Sequence, residues 1–137
     1  MNFIFVSPQF PHVYWQFCAA LRRDGARVLG IGDTPFDALA PEVRDSLDEY
    51  FWAHDLEDYD QVYQAVAYFS YRYGKPDWIE SNNEHWLGLD ARLREDFNVA
   101  HGPRPAEIAR WQSKAGQKPL YAAAGVPTAR QTRLTTF

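Results

Sequence analysis

Two apolar runs joined by one short helix-compatible stretch constrain this chain more than any other feature. Asn2-Phe3-Ile4-Phe5-Val6-Ser7 has the make-up of a buried strand. Residues 8–11, Pro-Gln-Phe-Pro, end it and open a helix with proline in its tolerated first turn. Val13, Phe17 and Leu21 recur at four-residue spacing and are expected to face the core. Arg22-Arg23-Asp24 closes the helix, Gly25 supplies a left-handed stop, and residues 27–31 form a second strand. So short a strand, helix, strand unit implies a parallel pair with a right-handed crossover.

The alternation continues. Gly30-Ile31-Gly32-Asp33-Thr34-Pro35 reads as a polar turn, a plain loop whose glycines also permit close approach of a ligand. Residues 36–47, broken by Pro41, predict a helical turn or two, and residues 49–53, Glu-Tyr-Phe-Trp-Ala, a third strand. Asp58 with Gln61 opens a helix whose inner face is Val62, Val66, Phe69 and Tyr73, ending at Gly74. Tyr59, Tyr63, Tyr68 and Tyr71 crowd that helix, a stripe more typical of core or subunit interface than of a ligand platform. After Trp78-Ile79, a fourth strand, a helix runs to about Asp96 with Trp86, Leu89, Leu93 and Phe97 inside and Arg92, Arg94 and Glu95 outside. Residues 97–100 are expected to add a last short strand. The fold class is therefore α/β, a parallel sheet of four to five strands with helices on both faces.

At 137 residues the chain holds one core of this kind, without internal repeats. No run approaches the roughly 20 apolar residues that cross a bilayer, and the first residues lack the basic leader and long apolar core of a signal peptide. No membrane partner and a cytoplasmic location are expected. Cys18 stands alone among Phe17, Ala19 and Leu21, so it reads as a small buried hydrophobe and no internal disulfide exists. His12, His54, His85 and His101 have no metal-ligand spacing, and no structural metal is predicted. A G-x-G-x-x-G turn after the first strand and a G-x-x-x-x-G-K-[ST] loop are both absent, which excludes a nicotinamide-binding Rossmann domain and the P-loop nucleotidases.

Function is most legible in Asp77-Trp78-Ile79-Glu80-Ser81-Asn82-Asn83-Glu84, where a strand runs into a polar cluster and then a helix. Open α/β sheets bind ligands beyond the carboxyl ends of their strands. Ser7, Gln9, Ser81, Asn82, Asn83 and Glu84 are thus candidates for a polar rim around a small substrate, with Glu80 and Glu84 flanking a crevice. Capping competes as an explanation, with Asn82 or Asn83 satisfying the helix N-terminus and Glu84 favouring its positive end.

Charge divides unevenly: 8 Lys and Arg stand against 17 Asp and Glu through Phe97, then 6 against Glu107 alone. The basic end suits phosphates. It contains a short helix after Gly102-Pro103-Arg104-Pro105, a second from Lys114 to Ala124 that Pro119 should kink or delay, and an extended exit through Gly125-Val126-Pro127-Thr128-Ala129-Arg130 toward a strand starting near Phe137.

Asp96-Phe97-Asn98-Val99, Gly102-Pro103, Glu107-Ile108, Lys114 and Ala124-Gly125-Val126-Pro127, in that order, resemble the junction between the preliminary domain and the nucleotide-binding domain of ATP-grasp enzymes, such as biotin carboxylase and the large subunit of carbamoyl-phosphate synthetase. Ser81-Asn82-Asn83-Glu84 is similar to the polar loop of the same preliminary domain. The resemblance implies a half-Rossmann-like pre-ATP-grasp domain over residues 1–112 and the start of the ATP-grasp domain over 113–137. It implies a substrate-side role in a ligase that turns a small carboxylate into an acyl phosphate for capture by an amine or ammonia. It makes Lys114 the residue that approaches the ATP phosphates, where Lys118 and Arg130 add positive field or stay solvated. ATP and magnesium serve the complete enzyme. The C-terminal ATP-grasp domain that binds them, with its catalytic and metal residues, is expected beyond Phe137, so neither catalytic nor metal residues are assigned in this chain. A stand-alone binding or interaction module, with the acidic body and the helix from Asp58 to Tyr73 as a homodimer interface, is the alternative. Nucleic-acid binding through the basic end ranks below both, because the rest of the chain is acidic.

Overall fold

The computed structural model describes residues 1–130 and 132. Among them, four strands form one parallel sheet: β1 (Asn2–Val6), β2 (Arg27–Gly32), β3 (Glu49–Trp52) and β4 (Trp78–Glu80), in the order β3-β2-β1-β4. β1 is central, with Ile4 opposite Leu29 on one side and Ile79 on the other. Helices α1 (Trp15–Arg23) and α2 (Pro41–Asp45) cover one face; α3 (Tyr59–Tyr73) and α4 (Leu87–Asp96) cover the other. Alternation along the strands explains the two cores. Phe3, Phe5 and Val28 pack with Cys18, Val43 and Leu47, while Ile4, Val6, Leu29, Ile31 and Ile79 pack with Val62, Val66, Phe69 and Leu93.

The chain first moves outward from β1 to β2 and β3, then returns over the sheet to place β4 on β1's free edge. Crossovers keep one hand, so reversing direction moves the connecting helix to the opposite face. The reversal leaves a crevice between β1 and β4 at their carboxyl ends.

Three expectations are corrected. The first concerns α1: Val13 is 55% and Phe17 47% exposed, while Cys18 is fully buried. A tight turn from Pro11 to Tyr14 precedes the helix (Tyr14 N–H donates to Pro11 O, 2.9 Å), so Tyr14, Trp15 and Cys18 face the sheet in place of Val13 and Phe17, while Leu21 packs there as expected. The second concerns residues 97–100, which make no strand. Asn98 turns left-handed (φ 50), and Val99 N–H returns to Arg94 O (2.8 Å) to finish α4. Arg104 then takes the Arg94 and Val99 carbonyls, both at 2.6 Å, leaving no ladder to build.

The third is Arg94, which is wholly buried rather than solvated. Its Nε donates to Ile79 O (2.9 Å), Nη1 to Pro103 O (3.1 Å) and Nη2 to Glu80 Oε2 (2.8 Å). One guanidinium thus joins α4, β4 and the 102–104 turn, because its planar fork spreads donors over three nitrogens where a lysine has one. Gly102 lies against it at φ +89, where an added Cβ would meet Nε at 2.6 Å.

Pro41 is the first residue of α2, a short 3-10 turn (Phe36–Ala38) precedes it, and the Asp58 carboxylate caps α3 through Asp60 N–H. Gln61 Oε1 accepts from the His54 and Asp55 N–H groups, bracing the preceding loop. Gly30 and Gly32 belong to β2, and their missing side chains leave room for Leu47, Tyr50 and Gln9 rather than for a ligand. Helices α5 (Pro105–Gln112) and α6 (Lys114–Ala123) extend from the α4 side of the sheet. α6 begins at Lys114 with Pro119 inside it, so the proline does not delay its start. The strand expected near Phe137 lies outside the described residues. No helix among those described is long and apolar enough to cross a membrane.

Gly102→Ala should destabilise the fold by about 2 kcal/mol or more, combining left-handed strain with displacement of the Arg94 guanidinium. Gly88→Ala, in α4 with open space around it, should instead stabilise by about 0.5 kcal/mol. Urea unfolding midpoints of the two variants would move in opposite directions.

Candidate functional site

The carboxyl ends of β1 and β4 carry two non-glycine residues in left-handed backbone, Ser7 (φ 58) and Asn82 (φ 55). Such conformations cost on the order of 1 kcal/mol each and persist where surrounding bonds impose them. Ser7 N–H donates to Ile31 O (2.8 Å), and Tyr14 Oη donates to Asn82 O (2.6 Å), tying the loop after β4 to the start of α1. Asn82 is exposed, and its side-chain amide makes no bond among the described residues.

Below this loop, Arg94 binds Glu80 Oε2 while Oε1 accepts from Asn82 N–H (3.3 Å). The Glu80 side chain keeps 29% exposure and lines the crevice, so its carboxylate is oriented without being enclosed. One turn before Arg94 on α4, Asp90 is fully buried and its Oδ2 accepts from Ser81 N–H (3.0 Å) and Oγ–H (2.6 Å). Burial first, offset by the Ser81 hydroxyl and reinforced by the Glu80 charge, pushes the Asp90 carboxyl up to about 7. Its Oδ1 is enclosed without a partner among the described residues.

Beyond Glu80 lies an open cleft of about 440 Å³ lined by Asn82, Asn83, Glu84, Leu87, Lys114 and Gln117 as well as Glu80. The fold thus brings Asn82, Asn83 and Glu84 together with Lys114, which is 30 positions beyond Glu84 in sequence. Asn83 also caps: its Oδ1 accepts from His85 N–H (3.0 Å) at the 3-10 turn Glu84–Trp86. Ser113 Oγ does the same for α6 through Gly116 N–H (3.0 Å), which presents Lys114 in the first turn. Neither the Glu84 carboxylate nor the Lys114 ammonium is paired among the described residues. Lys118 Nζ donates to Ala129 O instead.

Three predicted rim residues do not line the cleft. Ser81 is fully buried and serves the Asp90 bond. Ser7 is buried behind the loop, its hydroxyl donating to Phe10 O (3.4 Å). Gln9 lines a separate cavity of about 430 Å³ with His12, Trp15 and Thr34, its Nε2 held by Asp33 Oδ1 (2.8 Å). Asp90 and Arg94 were missed because their i, i+4 spacing is that of an ordinary exposed helix ion pair. The signal that distinguishes them is Gly102 packed on the guanidinium, a contact between positions eight apart.

The arrangement can orient a polar ligand by charges of both signs and side-chain amides, over the methyls of Leu87. Cys18 has no part in it: burial pushes its thiol up to about 12, on the opposite face of the sheet from α4. Among the described residues no three His, Cys, Asp or Glu side chains group to hold a metal ion.

No family model and no curated protein matches the sequence. Among solved structures, the chain is similar to the crystal structure of L-amino acid ligase from Bacillus licheniformis, with a TM-score of 0.63 at 16% identity, over 93% of this chain and 31% of that one. The likeness is one of fold, and this chain spans about a third of the ligase's length.

Asp90 gives the fold a pH dependence with a definite sign. Its folded pKa lies above the unfolded value of about 3.9, so the contribution is whole below pH ~4 and is lost as pH rises toward about 7. Asp90→Asn keeps an acceptor for Ser81 and removes the titration. Relative to this variant, the parent should lose stability between pH 4 and 7, as read by urea unfolding across that range.

Proposed function

We propose that this chain is the N-terminal, substrate-side domain of an ATP-grasp carboxylate–amine ligase, with residues 1–112 as the preliminary domain and 113–137 opening the ATP-binding part. The observation that carries the reading is the shared cleft. Strand-end polar groups, Asn82, Asn83 and Glu84, stand in one concavity with Lys114, the lysine that the motif order matches to ATP phosphates. The fold's likeness to an amino acid ligase over 93% of this chain supports it independently of those motifs.

In the reaction so proposed, a substrate carboxylate oxygen attacks the γ-phosphorus of ATP and the bond to the β–γ bridging oxygen breaks, releasing ADP. An amine nitrogen then attacks the acyl carbon, phosphate leaves and the nitrogen gives up a proton. The part of this chain is to hold the carboxylate substrate and to meet phosphate charge with Lys114, whose mobile ammonium follows a triphosphate through such a transfer. ATP and magnesium are gripped by the C-terminal ATP-grasp domain, the principal partner.

A second reading, an interaction module, draws on α3, where Tyr71 is 94% exposed and Tyr63 and Tyr68 are 40% and 37% exposed. A stable dimer in light scattering that Tyr71→Ser abolishes would favour it.

Calorimetric titration of this chain with Mg-ATP should show at most very weak binding; submicromolar affinity would overturn the division of labour proposed here. In the complete ligase, Glu84→Gln should lower turnover of the carboxylate substrate about tenfold or more, the worth of one charged hydrogen bond, without unfolding the domain. Unchanged turnover would leave Glu84 only its place at the helix end.

A further inference from the structure

We infer that the substrate held by this cleft is an α-amino acid, its ammonium anchored by Glu80 and Glu84 and its carboxylate directed toward Lys114. The inference rests on the ligase reading for the direction of the carboxylate. For the ammonium it rests on the cleft's own composition.

The cleft is charged with both signs. Glu84 and Lys114 are both unpaired among the described residues although they line the same concavity, so a complementary ligand carries a cation and an anion of its own. A simple carboxylate would satisfy Lys114 and leave two carboxylates facing it. A simple amine would satisfy the glutamates and leave the lysine. A zwitterion satisfies both, and Leu87 offers an apolar contact for its side chain.

Glu80 is the better-held anchor. Arg94, with no exposure of its own, binds Oε2 at 2.8 Å, and the Asn82 backbone N–H reaches Oε1 at 3.3 Å. The carboxylate therefore has a set orientation before any ligand arrives, and Oε1 retains lone pairs for an incoming N–H. Arg94 acts here as a positioning residue, through Glu80. The free amide of Asn82 stands beside this anchor in the same lining. With the ammonium at the strand-end glutamates and the carboxylate at Lys114, the group to be phosphorylated lies at the phosphate end of the cleft.

The test is a titration of the isotope-labelled chain by two-dimensional NMR with L-alanine, propionate and ethylamine, and separately with Mg-ATP. L-alanine should shift the backbone amides of residues 80–87 and 113–117, with propionate and ethylamine each bound at least about tenfold more weakly. Glu80→Gln keeps an acceptor for Arg94, and its fold is checked by circular dichroism and thermal unfolding. This variant should reduce L-alanine affinity to that of propionate while leaving propionate unchanged.

Equal binding of L-alanine and propionate, an unaltered L-alanine response in folded Glu80→Gln, or no response to L-alanine would each overturn the inference. Should Glu80→Gln fail to fold, Glu84→Gln takes its place with the same expected loss. A weak Mg-ATP response at residues 113–117 without any to L-alanine would overturn the amino-acid assignment and leave the ligase reading standing. A Glu80-dependent response to L-alanine together with submicromolar Mg-ATP affinity would support the amino-acid site and count against the ligase reading.

Discussion

One buried guanidinium holds the functional end of this molecule together. Arg94 donates to the last apolar carbonyl of β4, to the Glu80 carboxylate and to the Pro103 carbonyl. An arginine without exposure is tolerable only when its donors are met, because an unpaired buried charge costs several kcal/mol. The neighbouring residues conform to that demand. Gly102 has no side chain where the guanidinium lies, Arg104 covers the end of the same helix, and Asp90 occupies the adjacent turn bound to Ser81. β4 is short and lies on the sheet's edge, so these side-chain bonds supplement its single ladder to β1.

The edge position of β4, whose carboxyl end lines the cleft, follows from connectivity. Reversal of the chain after β3 brings the ends of β1 and β4 side by side, where no crossover covers them. The left-handed backbone of Ser7 and Asn82 turns both chains away from the sheet there, and the Tyr14 hydroxyl holds the second of them. α5 then packs on α4 and α6 on α5, which brings Lys114 to the residues after β4. The division of charge along the sequence acquires a spatial meaning: the acidic body and the basic end meet in one concavity.

Much of this was legible in the sequence. Apolar runs of four to six residues, separated by helices with stops at Gly25 and Gly74, determine a parallel α/β sheet, because short connections leave no other arrangement. The cap at Asp58 is local chemistry, decided within a few residues. The polar cluster after β4 is equally local, and its place at a strand end follows from the alternation of elements.

Tertiary structure alone decided which polar residues face the cleft. Ser81 and Asn82 are neighbours of similar chemistry, yet one is enclosed against Asp90 and the other is exposed beside Glu80. Arg92 and Arg94 are two apart on one helix: one lies exposed over the Tyr59 ring, the other is the centre of the buried network. The inward face of α1, with Tyr14, Trp15 and Cys18 in place of Val13 and Phe17, was set by the turn before it and by contact with Phe5 and Val28. Sequence determined the elements because propensity and periodicity act over a few residues. Burial of a particular charge depends on groups from distant segments arriving to pair with it, and only the folded chain brings Glu80, Pro103 and Gly102 to Arg94.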